Sequence, residues 1–295
     1  MMDISIALGG GGMRGYSHIG VIRRLEREGY RIRALAGTSA GGIAATAYAA
    51  GYSPDELEAM FSRLDQAKLF APVPPEGPGL IGLSRAIKVF EELYGNRTFA
   101  DLRVPCAVVA VDIKTGREIV LDHGRVLDAV LGTIAVPGIF PPKDYGEMQL
   151  VDGGVADPVP VSVARSLAPS LPVVAVVLTP TTEPPGYFTR LPISMPAQIV
   201  ERITRTRIAQ TFSIFLKAVD TGGRVITELR LKVDDPEVVI RPDVGGIGLL
   251  DQVDVHKVVR LGEVAAEAVL PAMKKTVAWP NRLRRRLLPR KRGGE

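Results

Sequence analysis

The chain has 295 residues, long for one domain but not too long for a single α/β unit, and its 46% hydrophobic content allows a sizeable core. Its single cysteine, Cys106, excludes an internal disulfide framework, and no apolar run approaches the roughly 20 residues that a membrane span needs. The first residues lack the basic leader and apolar core of a signal peptide, so we expect a soluble, cytoplasmic protein.

The formal net charge of +5 is concentrated at the carboxyl end of the chain. Residues 279–295 hold seven arginines and lysines against the single acid Glu295, so this tail carries +6 and the other 278 residues carry −1. A basic segment of this kind attracts anionic lipid surfaces or nucleic acid by Coulomb attraction. The apolar residues of the tail, such as Trp279 and Leu283, favour an anionic membrane surface over nucleic acid. A solvated, disordered tail is the alternative.

The first part of the chain alternates short strands with amphipathic helices. The hydrophobic pattern predicts strands at Asp3–Leu8 and Arg31–Ala36, and helices at Ser17–Glu28 and Gly42–Ala50. Strand and helix in close succession are typical of a parallel sheet covered by helices on both faces. We therefore predict a three-layer α/β fold with a mostly parallel central sheet.

The later segments extend the same pattern. Val104–Val111 and Glu118–Leu121 are predicted as adjacent strands, and Val173–Leu178 as a further buried strand. An amphipathic helix follows, with Phe215 among its predicted inner residues, and Val258–Ala272 is the last predicted helix.

No internal repeat and no clear boundary divides the chain. Residues 1–278 are therefore predicted to form a single domain, with 279–295 as a basic tail. Two proline-rich stretches, near 68–84 and 180–220, are predicted to be irregular, lid-type segments over that domain.

A glycine-rich loop follows the first predicted strand. It fits the G-x-G-x-x-G pattern of dinucleotide-binding folds, but the second strand ends without the acidic residue that would hold a ribose, and no P-loop Lys-Ser/Thr pair follows. Bare backbone amides at a helix N-terminus also suit a tetrahedral oxyanion, and one such donor contributes roughly a hundredfold to a thousandfold in rate. The loop is Gly10-Gly11-Gly12-Met13-Arg14-Gly15.

A second glycine motif, G-x-S-x-G, lies between the second strand and the second helix, which is the context of a nucleophile elbow. At this turn the hydroxyl of Ser39 would project at the helix N-terminus, where the helix dipole favours developing negative charge. Ser39 is therefore the predicted nucleophile, and a serine that only caps the helix is the alternative. The motif is Gly37-Thr38-Ser39-Ala40-Gly41.

A serine nucleophile needs a base, and the chain contains only three histidines. His256 would follow Ser39 in the chain order of an α/β-hydrolase triad, but no turn residues surround it. His18 opens the first helix beside the glycine loop, either near the site or as a packing residue. His123 lies in a polar turn.

Asp152 is the other candidate base, because it follows a strand and precedes Gly153 and Gly154. A carboxylate is a poor base at its usual pKa of about 4. It can serve when it is partly desolvated and hydrogen-bonded directly to the serine. The residues alone leave open whether Asp152 is the base or a plain turn aspartate.

Taken together and in this order, the glycine loop, the serine motif and the D-G-G motif at Asp152 resemble the patatin-like phospholipase family. The segment Ala135–Pro142 is similar to a family block that precedes D-G-G, and the resemblance spans about residues 3 to 178. It implies a Ser39–Asp152 dyad without histidine and without a metal or cofactor. Asp157 stands where many members carry asparagine.

The resemblance also implies how the residues act. Ser39 would be acylated by an ester substrate, Asp152 would be the general base, and Gly10, Gly11 and Gly12, supported by Arg14, would form the oxyanion hole. Members hydrolyse acyl esters of phospholipids, lysophospholipids, neutral glycerides or small synthetic esters, so we expect a lipid acyl hydrolase. The alternatives are a weakly catalytic, membrane-associated regulatory protein of the same fold and a Rossmann-like nucleotide-binding protein.

Overall fold

The computed structural model describes residues 2–66, 79, 82–180 and 207–276. The predicted lid-type segments near 68–84 and 180–220 lie largely outside the described residues, and the basic tail 279–295 lies wholly outside them. Residues 207–220, the described end of the second segment, are helical.

Strands and helices alternate along the described chain. The strands are β1 (Met2–Leu8), β2 (Tyr30–Thr38), β3 (Cys106–Asp112), β4 (Arg117–Leu121), β5 (Lys143–Tyr145), β6 (Met148–Asp152), β7 (Val173–Val176) and β8 (Val238–Ile240). The helices are α1 (Tyr16–Arg27), α2 (Ala40–Ala49), α3 (Pro54–Ser62), α4 (Ser84–Tyr94), α5 (Val126–Thr133), α6 (Val161–Leu167), α7 (Arg207–Asp234) and α8 (Val255–Thr276).

The described strands form one sheet in the order β5-β6-β3-β2-β1-β7-β8, with β4 also paired to β3. The run β3-β2-β1-β7-β8 is parallel throughout. The strands β4 and β6 pair antiparallel with β3, and β5 pairs antiparallel with β6. The predicted mostly parallel sheet is therefore confirmed, and an antiparallel edge is added to it.

Two apolar cores cover the two faces of the sheet. On one face Ile4, Ile6 and Leu8 of β1 pack with buried residues of α1, α2 and α8. On the other face Ala7 packs with residues of α6, including Val161. This alternation along β1 is the period of two that a strand imposes. Each fully buried large aliphatic side chain stabilises the folded state by roughly 1.5–3 kcal/mol. With helices on both faces of the sheet, the predicted three-layer arrangement is confirmed.

Helices α1 and α8 cross with their backbones in contact. A methyl carbon at Gly20 would lie 1.9 Å from the carbonyl oxygen of Val259, and one at Gly262 would lie 1.9 Å from the carbonyl oxygen of Ser17. Helix α1 begins directly after the glycine loop. The crossing with α8 therefore fixes the position of the helix that follows the loop.

The long helix α7 packs on the opposite face of the molecule. Its inner residues include Thr227, which is buried, and Leu231, which packs against the second core. Phe215 is 44% exposed, so the prediction that it faces inward was wrong. The reason is rotational: at 100° per residue, Phe215 lies well away from the row of Thr227 and Leu231 that meets the protein. Neither α7 nor any other described helix is long and apolar enough to cross a bilayer.

A substitution at the helix crossing should separate the two helices. In Gly262→Ala the added methyl overlaps the backbone of α1, so we expect the free energy of unfolding to fall by about 1–3 kcal/mol in urea unfolding. The matched control is Gly222→Ala in α7, where the methyl meets nothing within 4 Å. That change removes a helix glycine and should add about 0.5–1 kcal/mol. Equal effects at the two positions would contradict the close crossing.

Candidate active site

Ser39 lies at the turn between β2 and α2 with φ 54° and ψ −123°. A positive φ is strained for a residue with a side chain and persists only where the surroundings enforce it. A methyl carbon at Gly37 would lie 2.3 Å from the carbonyl oxygen of Gly41, and one at Gly41 would lie 2.0 Å from that of Leu8. Close backbone contacts therefore require both glycines and hold the serine at the N-terminus of α2.

Two hydroxyl groups hold the backbone of this turn. The N–H of Ser39 donates to Oγ1 of Thr133 at 2.9 Å, and the hydroxyl of Thr133 donates to the carbonyl of Val109. The hydroxyl of Thr38 donates to the carbonyl of Asp157 at 2.8 Å. Sequence analysis missed Thr133, because a threonine at the end of a helix 94 residues further along carries no local signal.

Asp152 ends β6, and its carboxylate lies close enough to the side chain of Ser39 for the serine to lower its pKa. Its Oδ1 accepts the N–H of Gly154 at 2.7 Å. Burial raises the pKa of Asp152 to about 6, against the opposing effects of the Ser39 side chain and the Gly154 N–H. The sheet explains the meeting, because Asp152 pairs with Ala110 of β3, and β3 lies beside β2, which leads into Ser39.

The glycine loop lies directly beside this pair. A methyl carbon at Gly10 would lie 3.3 Å from Cβ of Ser39, and one at Gly15 would lie 2.6 Å from Cβ of Ala40. Gly15 thus allows the loop to pack on the first turn of α2. The structure brings together the three motifs that the sequence pointed to.

The amides of the loop differ in their availability. The N–H of Gly10 donates to the carbonyl of Pro158 at 3.0 Å, so its assignment to the oxyanion hole does not fit this conformation. The N–H groups of Gly11 and Gly12 meet no acceptor among the described residues. Gly12 has φ 57°, and a methyl carbon there would lie 2.1 Å from the carbonyl oxygen of Leu249. Close packing therefore fixes the orientation of the open amides.

Arg14 is buried beneath the loop. Its Nε donates to the carbonyl of Ile247 at 2.7 Å, and its Nη1 donates to the carbonyl of Leu178 at 3.3 Å. Burial lowers the pKa of Arg14 to about 10, which still leaves it charged at neutral pH. The guanidinium thus braces the loop against two distant segments and places a positive charge under it.

The three histidines form hydrogen bonds with groups other than Ser39 and Asp152. His18 is fully buried, and its Nε2 lies 2.8 Å from the carbonyl oxygen of Gly9, so Nε2 carries the proton and donates to it. Burial lowers the pKa of His18 to about 4. His256 is exposed and bonds Glu58 through Nδ1, while His123 is exposed in its polar turn. The described residues also contain no group of three or more His, Cys, Asp or Glu that could hold a metal ion.

The fold and the order of these motifs define the class of the protein. The family model described as patatin-like phospholipase matches residues 6–165. The chain belongs to the patatin-like phospholipase family, as its sequence motifs predicted.

Individual relatives support this assignment. An uncharacterized NTE family protein of Mycobacterium tuberculosis is 30% identical over 282 residues, which cover 92% of this chain and 47% of that protein. Lysophospholipase NTE1 of Mycosarcoma maydis is 32% identical over 182 residues, which cover 56% of this chain and 9% of that protein. The match thus spans about half the length of the mycobacterial relative and a much smaller share of lysophospholipase NTE1.

A solved structure shares the fold. The crystal structure of VipD from Legionella pneumophila superposes with a TM-score of 0.51 at 13% sequence identity. The match covers 91% of this chain and 67% of that chain. At this identity the likeness concerns the architecture alone.

The buried His18 predicts a sensitivity to acid. Its pKa of about 4 lies below the ordinary 6.5, so the unfolded chain takes up the proton at a higher pH than the folded protein does. The stability due to neutral His18 is complete above pH 6.5 and declines as the pH falls toward 4, by on the order of 3 kcal/mol. His18→Gln, which keeps a donor for Gly9, should therefore show a flatter profile of unfolding free energy against pH than the wild type.

The exposed His123, replaced by glutamine in the same way, controls for the loss of a histidine. Parallel pH profiles for the wild type and His18→Gln would contradict the assignment of His18 as a buried neutral group.

Proposed function

We propose that this protein hydrolyses carboxylic esters of lipids, with Ser39 as nucleophile and Asp152 as general base. The observation that carries the proposal is the approach of the Ser39 side chain to the buried Asp152 carboxylate, whose pKa the serine lowers. Membership of the patatin-like phospholipase family supports a lipid ester as the substrate.

The geometry supports a two-step reaction. In the first step Asp152 accepts the proton of Ser39 as the serine oxygen attacks the ester carbonyl carbon. The negative charge that develops on the carbonyl oxygen is stabilised by the amides of Gly11 and Gly12, at the N-terminal side of α1. Collapse of the tetrahedral intermediate passes the proton from Asp152 to the leaving alcohol and leaves the acyl group on Ser39.

In the second step water replaces the alcohol. Asp152 takes a proton from this water, whose oxygen attacks the acyl carbon beside the same amides. The fatty acid leaves, the serine oxygen regains a proton from Asp152, and the starting state is restored. The steps need only groups that this chain supplies.

The surroundings of Asp152 suit a carboxylate to this work. Burial raises its pKa to about 6, so it stays largely ionised at neutral pH while its affinity for a proton exceeds that of a solvated aspartate. The N–H of Gly154, 2.7 Å from Oδ1, holds the carboxylate in a fixed orientation.

A histidine base has less support. His256 bonds Glu58 on the α3 side of the molecule, and His18 donates its Nε2 proton to the backbone of Gly9. Neither interaction points to Ser39. The dyad is therefore the better account of the site.

The name lysophospholipase carried by a relative makes lysophospholipids the first substrates to try. The proposal that the basic tail 279–295 brings the protein to an anionic membrane surface rests on its charge of +6.

The dyad is tested by two isosteric or near-isosteric variants. Ser39→Ala and Asp152→Asn should each lower the release of fatty acid from lysophosphatidylcholine, and of nitrophenol from p-nitrophenyl butyrate, by at least about a thousandfold. Each removes a group that exchanges a proton in both steps.

Matched controls are Ser62→Ala, on the exposed face of α3, and Asp128→Asn, whose carboxylate pairs with Lys143. Both should keep wild-type rates. Loss of activity in His256→Ala combined with an active Asp152→Asn would replace the dyad with a triad.

The pKa of Asp152 also predicts a pH dependence. The base must be ionised to accept the serine proton, so kcat/KM should rise with pH through an apparent pKa of about 6 and level off above it. Ester hydrolysis measured from about pH 4 to pH 8 gives this profile. The same acidic limb should persist in His256→Ala, and its disappearance there would contradict the assignment of the limb to Asp152.

A further inference from the structure

Asp157 joins the two halves of the proposed catalytic pair through its backbone. Its N–H donates to the carbonyl of Gly153, the residue after Asp152, at 2.8 Å. Its own carbonyl accepts the hydroxyl of Thr38, the residue before Ser39, at 2.8 Å. A displacement of Asp157 would therefore move the base and the nucleophile relative to each other.

The side chain of Asp157 is fully buried and is held by a cation from the long helix α7. Its Oδ2 accepts a hydrogen bond from Nη2 of Arg230 at 2.6 Å. The same guanidinium lies 3.3 Å from a carboxylate oxygen of Glu118 on β4 and 3.4 Å from one of Asp234 on α7. One arginine thus faces three carboxylates that come from three parts of the fold.

This arrangement makes Asp157 dependent on Arg230. Burial raises the pKa of Asp157 to about 7, Arg230 opposes the rise, and Glu118 and Asp234 add to it. The other carboxylate oxygen, Oδ1, has no hydrogen-bond partner among the described residues. Without Arg230, the buried carboxyl group would face only like charges.

Helix α7 also touches the loop that follows the base. A methyl carbon at Gly223 would lie 3.9 Å from the carbonyl oxygen of Gly154. Arg230 lies two turns further along the same helix and holds Asp157 at the other end of that loop. The helix therefore contacts residues 153–157 at both ends.

We propose that Arg230 is a positioning residue, which through Asp157 holds the Asp152 loop against the Ser39 turn and ties helix α7 to the site. The inference rests on the proposed function for its effect on rate.

The test compares Arg230→Met with the double variant Arg230→Met/Asp157→Asn. The single variant leaves a buried carboxyl group without its cation, so kcat should fall by about tenfold or more while KM stays within about twofold. The double variant replaces both charges, and a buried pair replaced as a whole loses little, so kcat should recover to within about threefold of the wild type.

The matched control is Arg241→Met. The side chain of Arg241 is 33% exposed, against 31% for Arg230. Its guanidinium bonds Glu228 of α7 at 2.7 Å and not the loop that follows Asp152. Its kcat should equal that of the wild type. A wild-type kcat in Arg230→Met, or equal losses in the single and double variants, would overturn the proposal.

A second measurement does not depend on catalysis. Hydrogen–deuterium exchange into residues 150–160 should be faster in Arg230→Met and return toward the wild-type rate in the double variant. If the wild type shows no turnover that depends on Ser39, the proposed function fails, and exchange alone then decides whether Arg230 holds the loop. Unchanged exchange in Arg230→Met would overturn that contact.

Discussion

The site depends on backbone segments that approach one another more closely than any side chain would allow. Gly41 lies against the end of β1, and a methyl carbon at Gly153 would lie 2.3 Å from the carbonyl oxygen of Val109 on β3. The glycine loop packs on α2 in the same way through Gly15. Three loops from distant parts of the chain therefore share one small region at the end of the parallel strands. Because protein interiors are close-packed, this contact fixes the distances between the side chains of Ser39 and Asp152 and the amides of the glycine loop.

Exclusion of water from this region sets its electrostatics. Asp152 keeps a raised pKa because burial outweighs the opposing effects of the Ser39 side chain and the Gly154 N–H. If the loops separated and admitted water, the carboxylate would become an ordinary acid and a weaker base. Packing and proton affinity are thus two aspects of the same closed arrangement, and the strained turn at Ser39 is stabilised by it.

The features that could be predicted from the sequence are those that neighbouring residues determine. The periodicity predicted the alternating elements. Ser39 stood out because glycines flank it, and Asp152 because two glycines follow it, and these glycines lie at the close contacts of the site. Contacts that depend on how distant elements are oriented could not be predicted in this way. The bond from Ser39 to Thr133, the pair of Asp157 with Arg230 and the bond from Gly10 to Pro158 each join residues more than 70 positions apart. The outward orientation of Phe215 likewise follows from which side of α7 meets the protein.

The crossing of α1 and α8 bears on where this fold begins and ends as a cooperative unit. The family model matches residues 6–165, yet β7 pairs directly with the central strand β1, and α8 lies backbone to backbone on the helix that opens after the glycine loop. The stretch that the family model matches would therefore leave one side of β1 unpaired and α1 without the helix that crosses it. The first and last parts of the chain therefore belong to one folding unit, and Gly20 and Gly262 hold the two helices that join them at a single crossing.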